Sequence, residues 1–317
     1  MKRILLFLTN STDATCDYLC EIAEEKNIEY IRFDTDFENE NLQVNYSSSR
    51  NIYLNLKKYT LSPADVHCVW NRRPEKIHAG NFGDTPFDEH YRDEWRHAID
   101  GFFKQIHPTK WVNHPFHNAL AISKIEQLHR AKRFAFDIPE TLVTQDYAEF
   151  KRFYDKHGGS VITKPISHGY ICDGNSVYNI YTNAVNIDKC SFENFSKCPN
   201  LFQEKINKNS DIRINYIDGH IHAVELIYND DGKQRLDIRK NNMDGVSYKN
   251  ITIPHKVKSS IDSLVRSYSL RFAAIDMGKT ENDDWIFFEI NPNGQWAWMD
   301  ILGVSNFHEN FLEKLLR

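Results

Sequence analysis

Acidic residues interrupt two otherwise apolar runs near the carboxyl end of this chain. Ala274-Ile275-Asp276-Met277-Gly278-Lys279 and Trp285-Ile286-Phe287-Phe288-Glu289-Ile290-Asn291-Pro292 flank a polar loop at residues 281–284. Folded there as an antiparallel hairpin, the chain sets Asp276 opposite Glu289. Strand alternation sends Glu289 and Asn291 to one face and Ile275, Met277, Phe288 and Ile290 to the other. Asp276, Glu289 and Asn291 then offer hard oxygen donors on one surface, the ligand chemistry of Mg2+ shared with phosphates. Facing carboxylates repel each other, and a bound cation removes that repulsion. An ordinary hairpin with a wet polar face is the plainer alternative.

Cationic residues of the matching kind lie elsewhere. Lys164 closes the apolar run Val161-Ile162-Thr163 ahead of Pro165, where it could reach a phosphate or simply snorkel from a strand end. Lys124 follows Ile122-Ser123 and by itself reads as a solvated helical lysine. Asp211-Ile212-Arg213-Ile214-Asn215 precedes an Asp218-Gly219 turn, a hairpin signal. Arg213 there could donate a guanidinium fork to a phosphoryl group or pair with Asp211. Asp237-Ile238-Arg239 repeats the pattern with the same two readings. Arg72 and Arg73 directly follow a buried-strand pattern, Val66-His67-Cys68-Val69-Trp70 and then Asn71. Ligand residues gather at such strand ends, so the pair could hold an acidic side chain, or close a salt-bridged turn.

Hydrophobic patterning supplies the elements that must position these residues. Residues 4–9 read as a strand, a helix capped by Ser11 or Thr12 follows, and residues 28–33 return as a strand, which together argue for a parallel sheet. Two short alternating runs at 42–56 form an antiparallel addition. Helices are predicted over 88–106 and, as one long element, 117–136. From 139 the pattern changes to a strand at 141–144, a helix opened by an Asp146/Glu149 capping box, and a strand at 160–165. Residues 166–200 are polar and irregular. Strands at 201–206, 211–217 and 220–228, a helix at 257–271 and the hairpin at 272–291 complete the chain. The fold class is α/β (α+β), with units at 1–114, 115–200 and 201–317.

The 317 residues, 41% hydrophobic and 26% charged, suit about two or three globular domains. A formal net charge of −5 argues against a general nucleic-acid binder, although it leaves room for a local basic site. The apolar start stops at Thr9, too short for a signal peptide, and no run approaches a membrane span. Six cysteines without a C-x-x-C pair read as reduced thiols. A cytoplasmic enzyme is the expectation.

Taken together, the residues resemble the ATP-grasp superfamily and, within it, peptide-modifying ligases of the microviridin (graspetide) type. The resemblance covers nearly the whole chain. It rests on Val69-Trp70-Asn71-Arg72-Arg73-Pro74, Ser123-Lys124-Ile125, Ile138-Pro139-Glu140-Thr141-Leu142-Val143-Thr144, Lys164-Pro165, Gln203-Glu204-Lys205-Ile206, Asp211-Ile212-Arg213-Ile214 and Glu289-Ile290-Asn291-Pro292-Asn293-Gly294-Gln295-Trp296. It implies an ATP-grasp fold: a parallel-sheet pre-ATP domain, a central domain and an antiparallel-sheet domain, the last two sandwiching ATP. Lys124 and Lys164 would contact phosphates, and Gln203, Glu204, Lys205 and Ile206 would form the adenine hinge with Glu204 toward the ribose. Asp276, Glu289 and Asn291 would hold Mg2+, and Arg213 and Arg239 would steady the γ-phosphoryl group.

The implied reaction activates an Asp or Glu side chain of a ribosomal precursor peptide as an acyl phosphate. A Ser/Thr hydroxyl or Lys amine of the same peptide then closes an ester or amide ring. Arg72 and Arg73 are the candidates for the acidic acceptor, and Asp188 and Glu193 for a basic residue of the leader docking on 166–200. Family members are often homodimers. One departure stands out: the segment His168-Gly169-Tyr170-Ile171-Cys172-Asp173-Gly174 is poorer in glycine than the usual ATP-grasp lid. Two other functions share these residues: a ligase joining an amino acid to a small molecule or protein tail, and a non-catalytic peptide-binding module on the same frame.

Overall fold

The computed structural model describes residues 3–36, 42–57, 59–75, 82–167, 169–173, 176–190, 195–228, 236 and 245–317. The chain opens with β1 (Ile4–Thr9), α1 (Ala14–Glu25) and β2 (Tyr30–Asp34). A small side sheet follows, made of β3 (Gln43–Ser47), β4 (Arg50–Leu56) and β5 (Tyr59–Leu61). Then come β6 (Val66–Asn71), α2 (Pro86–Phe103) and β7 (Trp111–Val112). Strands β2, β1, β6 and β7 lie side by side in that order, all parallel. All six residues of β1 are buried because both sheet faces are covered, which explains its unbroken apolar run. Ile4, Leu6 and Leu8 pack with Ile99, Phe102 and Phe103 of α2. Leu5 and Phe7 pack with residues from the far end of the chain, among them Phe311 and Leu315. The helix cap is Asp13 rather than Ser11 or Thr12; its carboxylate accepts from the Thr15 amide and the Thr9 hydroxyl.

The expected single helix over 117–136 is two, α3 (Pro115–Ala121) and α4 (Lys124–Arg133). Ser123 between them is extended. Its apolar residues do not form one buried stripe: Leu120 and Ile125 are exposed whereas Leu128 is buried. The break makes Lys124 the first residue of α4.

Next come β8 (Thr141–Thr144), α5 (Tyr147–Lys156), β9 (Val161–Lys164), β10 (Tyr170–Asp173), β11 (Ser176–Asn179), β12 (Asn183–Ala184) and β13 (Asn200–Glu204). The sheet order is β12-β9-β13-β8, antiparallel throughout. Helix α5 covers it through Phe150 and Phe153, with the Phe150 and Phe202 rings 4.4 Å apart. Asp146 caps α5 by accepting from the Ala148 and Glu149 amides; its own amide donates to Thr144 Oγ1 rather than to Glu149. The stretch read as irregular, 166–200, contains the β10–β11 hairpin, which stands apart as its own two-stranded sheet.

The last part comprises β14 (Ser210–Ile217), β15 (His220–Tyr228), β16 (Val246–Ile251), α6 (His255–Ser267), β17 (Phe272–Lys279), β18 (Trp285–Asn291), α7 (Ala297–Ile301) and α8 (Phe307–Leu316). Its sheet, β16-β15-β14-β17-β18, is wholly antiparallel. Asp218 and Gly219 both take positive φ, as the two-residue turn between β14 and β15 requires. Helices α4 and α6 bury Leu128, Ala131, Ile261, Leu264 and Val265 against one face. The six cysteines are free thiols, with Cys16, Cys20 and Cys68 buried. Among the described residues no helix is long and apolar enough to cross a membrane.

Candidate active site

A cleft of about 980 Å³ runs between the β8–β13 sheet and the β14–β18 sheet. Asp276 and Glu289 are direct register partners across β17 and β18, as the hairpin pattern requires, and both line the cleft with Asn291. A bulge follows at once: Asp276 faces Glu289 but Met277 faces Phe287, so Phe288 has no partner of its own. Phe287 therefore takes the buried position, and Phe288 turns to the cleft beside Glu289. The alternation that placed Phe288 on the opposite face from Glu289 fails at this extra residue, a device common beside active sites.

The donor set fits a hard divalent cation. Two carboxylates sit at facing positions, and Asn291 Oδ1 spends one lone pair on the Asn293 amide at 2.9 Å, keeping the other. Among the described residues no three His, Cys, Asp or Glu side chains gather, so the set depends on the amide as third ligand. Glu289 has no ion-pair partner among them; its charge is felt by Lys164.

The lysines converge on the same space. Lys164 ends β9 and lines the cleft; burial pushes its ammonium below the usual lysine range, with Glu289 opposing that shift and Lys124 adding to it. Lys124, from the start of α4, donates to the carbonyls of Pro165 and Ser167, so it ties the helix to the segment after β9. It is a cleft residue rather than a solvated helical lysine.

The hinge residues Gln203, Glu204, Lys205 and Ile206 also line the cleft. Gln203 is buried and donates to Thr141 Oγ1 at 2.9 Å. The Glu204 carboxylate has two protein partners: Oε1 accepts from the Glu140 amide at 2.9 Å and Oε2 lies 3.7 Å from His157 Nδ1. These contacts tie the end of β13 to the segment before β8 and to the end of α5.

Arg213 pairs with Asp276, its register partner on β17, and not with Asp211. Nη1 donates to both Asp276 oxygens, at 2.8 and 3.0 Å, and Nη2 to the Gln295 carbonyl at 2.9 Å. Asp211 is taken up by Lys208 and Tyr228.

Only one of the two adjacent arginines faces the cleft. Arg73 lines it and donates to the Asn293 carbonyl at 3.3 Å. Arg72 is fully buried, with Nε 3.1 Å from Asp13 Oδ2, Nη1 donating to Asn293 O, and the guanidinium against the Trp70 ring. Burial pushes its pKa down to about 10 while Asp13 opposes the shift. From this position Arg72 cannot meet an entering substrate; it holds the 293 carbonyl in place.

One of the sequence-derived candidates stands apart from the cleft, and two lie outside the described residues. Asp188 is exposed on a short 3-10 turn (Ile187–Lys189) and does not line it. Arg239 and Glu193 lie outside the described residues.

Sequence reasoning passed over several residues that set this geometry. Asn113, buried after β7, donates to the Phe272 and Pro292 carbonyls and accepts from the Arg271 and Phe272 amides. Asn118 Nδ2 donates to Asn293 Oδ1 at 2.9 Å. Trp298 lines the cleft, as Gln295 does, and meets the Tyr248 ring at a tilt, 5.4 Å between centroids. Such polar residues inside apolar segments were the available signal, because a buried amide needs partners.

Comparison with known proteins agrees with this arrangement. Residues 4–118 match the MvdD pre-ATP grasp domain family. No curated protein sequence matches the chain. Among solved structures, a Chryseobacterium gregarium RiPP-associated ATP-grasp ligase, crystallised with ADP and a leader and core peptide, is 28% identical. That match covers 100% of this chain and 95% of that one, with a TM-score of 0.84. The macrocyclase MdnC of Microcystis aeruginosa MRC, bound with precursor peptide MdnA, is 22% identical over 99% of both chains, with a TM-score of 0.83. D-alanyl-alanine synthetase A of Vibrio cholerae shares the fold more distantly, at 12% identity and a TM-score of 0.55. With its cleft between two antiparallel sheets and its amino-terminal parallel sheet, the chain has the ATP-grasp fold of an ATP-dependent ligase and is similar over its whole length to ligases that modify peptides.

Proposed function

We propose that the protein is an ATP-dependent macrocyclase of a ribosomal precursor peptide, acting in the cytoplasm. One observation carries this reading: Lys124, Lys164, the Gln203 to Ile206 hinge and the oxygen set of Asp276, Glu289 and Asn291 line one cleft, with Arg73 on its wall. That is a nucleotide site continuous with a place for an anionic acceptor.

In this reading the hinge reads the adenine edge, and Lys124 and Lys164 bind phosphate oxygens. Asp276, Glu289 and Asn291 would hold Mg2+, which would neutralise phosphate charge there. Arg73 orients an Asp or Glu carboxylate of the peptide toward the γ-phosphorus. One carboxylate oxygen bonds to that phosphorus, the bond to the β–γ bridging oxygen breaks, and ADP departs. Arg213, held in place by Asp276 and the Gln295 carbonyl, donates to the transferred group. Arg239 is assigned to the same role and lies outside the described residues. A Ser/Thr hydroxyl or Lys amine of the peptide then attacks the acyl carbon, loses its proton and expels phosphate, closing an ester or amide ring. No nucleophilic side chain of the enzyme is needed, because positioning and charge stabilisation supply the rate.

Leader docking falls to the 166–200 region. The β10–β11 hairpin exposes Tyr170, Ile171, Val177 and Tyr178, an apolar surface suited to a peptide, and Asp188 with Glu193 would pair with a basic leader residue. A homodimer is part of the proposal.

The test is incubation with ATP, Mg2+ and any short peptide with Asp or Glu and Ser, Thr or Lys side chains found encoded beside this gene, read by mass spectrometry. Each ring should remove one water from the peptide mass with one ADP formed. ATP consumption with an unaltered peptide mass would point to the amino-acid ligase function instead, and failure to bind nucleotide would leave a non-catalytic module.

A further inference from the structure

Strand β18 carries Glu289 and Asn291 yet lies at the edge of its sheet, with β17 on one side only. An edge strand leaves a row of backbone groups unpaired and is free to shift. Here, among the described residues, the outer edge is closed beside Phe287 and beside Ile290. The Phe287 amide donates to the Asp137 carbonyl at 2.8 Å. At Ile290, the residue between the two oxygen ligands, the partner is a side chain. Gln127 Nε2 donates to the Ile290 carbonyl at 2.9 Å, and Gln127 Oε1 accepts from the Ile290 amide at 3.1 Å. This reciprocal pair is what a neighbouring strand would provide. The second Nε2 hydrogen goes to the Ala121 carbonyl at the end of α3, 2.6 Å away. Gln127 is only 3% exposed, so both donors and its acceptor are committed inside the protein.

Position on the helix adds a second link. Gln127 stands three residues after Lys124 on α4, on the same side. One face of α4 therefore holds the Pro165 and Ser167 carbonyls through Lys124 and the metal-bearing strand through Gln127. The Ile290 side chain is buried in the core, and its backbone is fixed by Gln127. With the pleat pinned there, its two neighbours must project toward the cleft.

We infer that Gln127 is the positioning residue of the cation site: it substitutes for a missing strand beside Ile290 and fixes the direction of Glu289 and Asn291. The inference rests on the assignment of Glu289 and Asn291 as oxygen ligands. Outer residues that orient metal ligands are typically worth about 10–100-fold in metal affinity.

The experiment is calorimetric titration of ADP into the full-length protein across a Mg2+ series, comparing wild type, Gln127→Met and Glu289→Gln. Gln127→Met keeps the volume and removes all three hydrogen bonds. Its expected result is a Mg2+ half-saturation raised about tenfold, with metal-free ADP affinity unchanged. Loss of a merely structural bond would lower melting temperature without moving the Mg2+ response. If Glu289→Gln shifts that response and Gln127→Met does not, the inference is wrong while the cation site stands. If neither variant shifts it, the site assignment falls and the inference with it. Should Gln127→Met fail to fold, amide hydrogen exchange on the wild type decides. Ile290 must exchange as slowly as a paired strand residue, and exchange at the rate of an open edge overturns the proposal.

Discussion

Replacing Gly294 with alanine tests whether the turn after β18 is set by close packing. A Cβ added there would lie 2.2 Å from the Ala274 Cβ, 3.0 Å from Arg213 Nη2 and 3.4 Å from the Asn291 carbonyl oxygen. Carbon atoms meet comfortably at about 3.5–4.0 Å, so the overlap with Ala274 exceeds ~1 Å. Ala274 is fully buried on β17, between β14 and β18, and cannot yield. The turn must move instead, and it carries the Asn293 and Gln295 carbonyls held by Arg72, Arg73 and Arg213. Overpacking of this kind costs about 1–3 kcal/mol, and a shift of ~1 Å at a reacting centre costs about a hundredfold in rate. Gly294→Ala should therefore lose far more in kcat for ADP formation than its modest drop in unfolding free energy suggests. The double variant Gly294→Ala/Ala274→Gly removes the clashing methyl and should recover most of the rate, at a strand-glycine cost of about 0.5–1 kcal/mol. Chemical denaturation and steady-state ADP release are the assays. Wild-type turnover in the single variant, or no recovery in the double, would refute the steric argument.

Three further outcomes follow from the same geometry. Arg72→Ala strands the wholly buried Asp13 carboxylate and should cost about 3–5 kcal/mol in denaturant unfolding, whereas Arg73→Ala should leave stability within ~0.5 kcal/mol and raise the KM for peptide. Asn113→Ala removes four hydrogen bonds to Arg271, Phe272 and Pro292 backbone groups; at about 1–3 kcal/mol per stranded group with partial relaxation, the loss should be ~3–5 kcal/mol. Lys164 has a folded pKa depressed by burial, so its charge opposes folding, and that penalty fades as pH rises through the depressed value toward the ordinary lysine range. Nucleotide affinity has the opposite sign: it should fall over the same alkaline window, below the ordinary lysine range, and the limb should vanish in Lys164→Arg.

The legible part of this protein was whatever a local pattern could state. The Asp276–Glu289 register followed from counting residues about a polar loop, and the β14–β15 turn from Asp218-Gly219. The parallel sheet followed from a strand, helix, strand opening. What stayed hidden depended on atoms far apart in sequence. Nothing local distinguishes Arg72 from Arg73; Asp13, the cap of α1, pairs with the first in the core, while the second lies at the cleft. Periodicity could not reveal the break between α3 and α4, since it is stabilised by Gln127 reaching back to Ala121. Phe288 was misplaced because alternation has no means to anticipate a bulge.

These hidden contacts explain why the pre-ATP-grasp domain belongs to the active site. The turn after β18 has little regular structure to hold it, and its carbonyls are fixed from several directions. Arg72 and Arg73 reach Asn293 from the end of β6, Asn113 reaches Pro292 from the end of β7, and Arg213 reaches Gln295 from β14. Three of those four donors come from residues before 114, yet the groups they place lie at most four residues from the oxygen ligands Glu289 and Asn291. A fragment beginning at residue 115 would keep Lys124, Lys164, Gln127, residues 203–206 and the proposed oxygen ligands, and would lose the Arg72, Arg73 and Asn113 bonds that hold the turn after them. On the proposed function, nucleotide recognition at residues 203–206 and placement of the turn after β18 are therefore separable: among the described residues β13 pairs with β8 and β9, whereas the turn is held from the amino-terminal sheet.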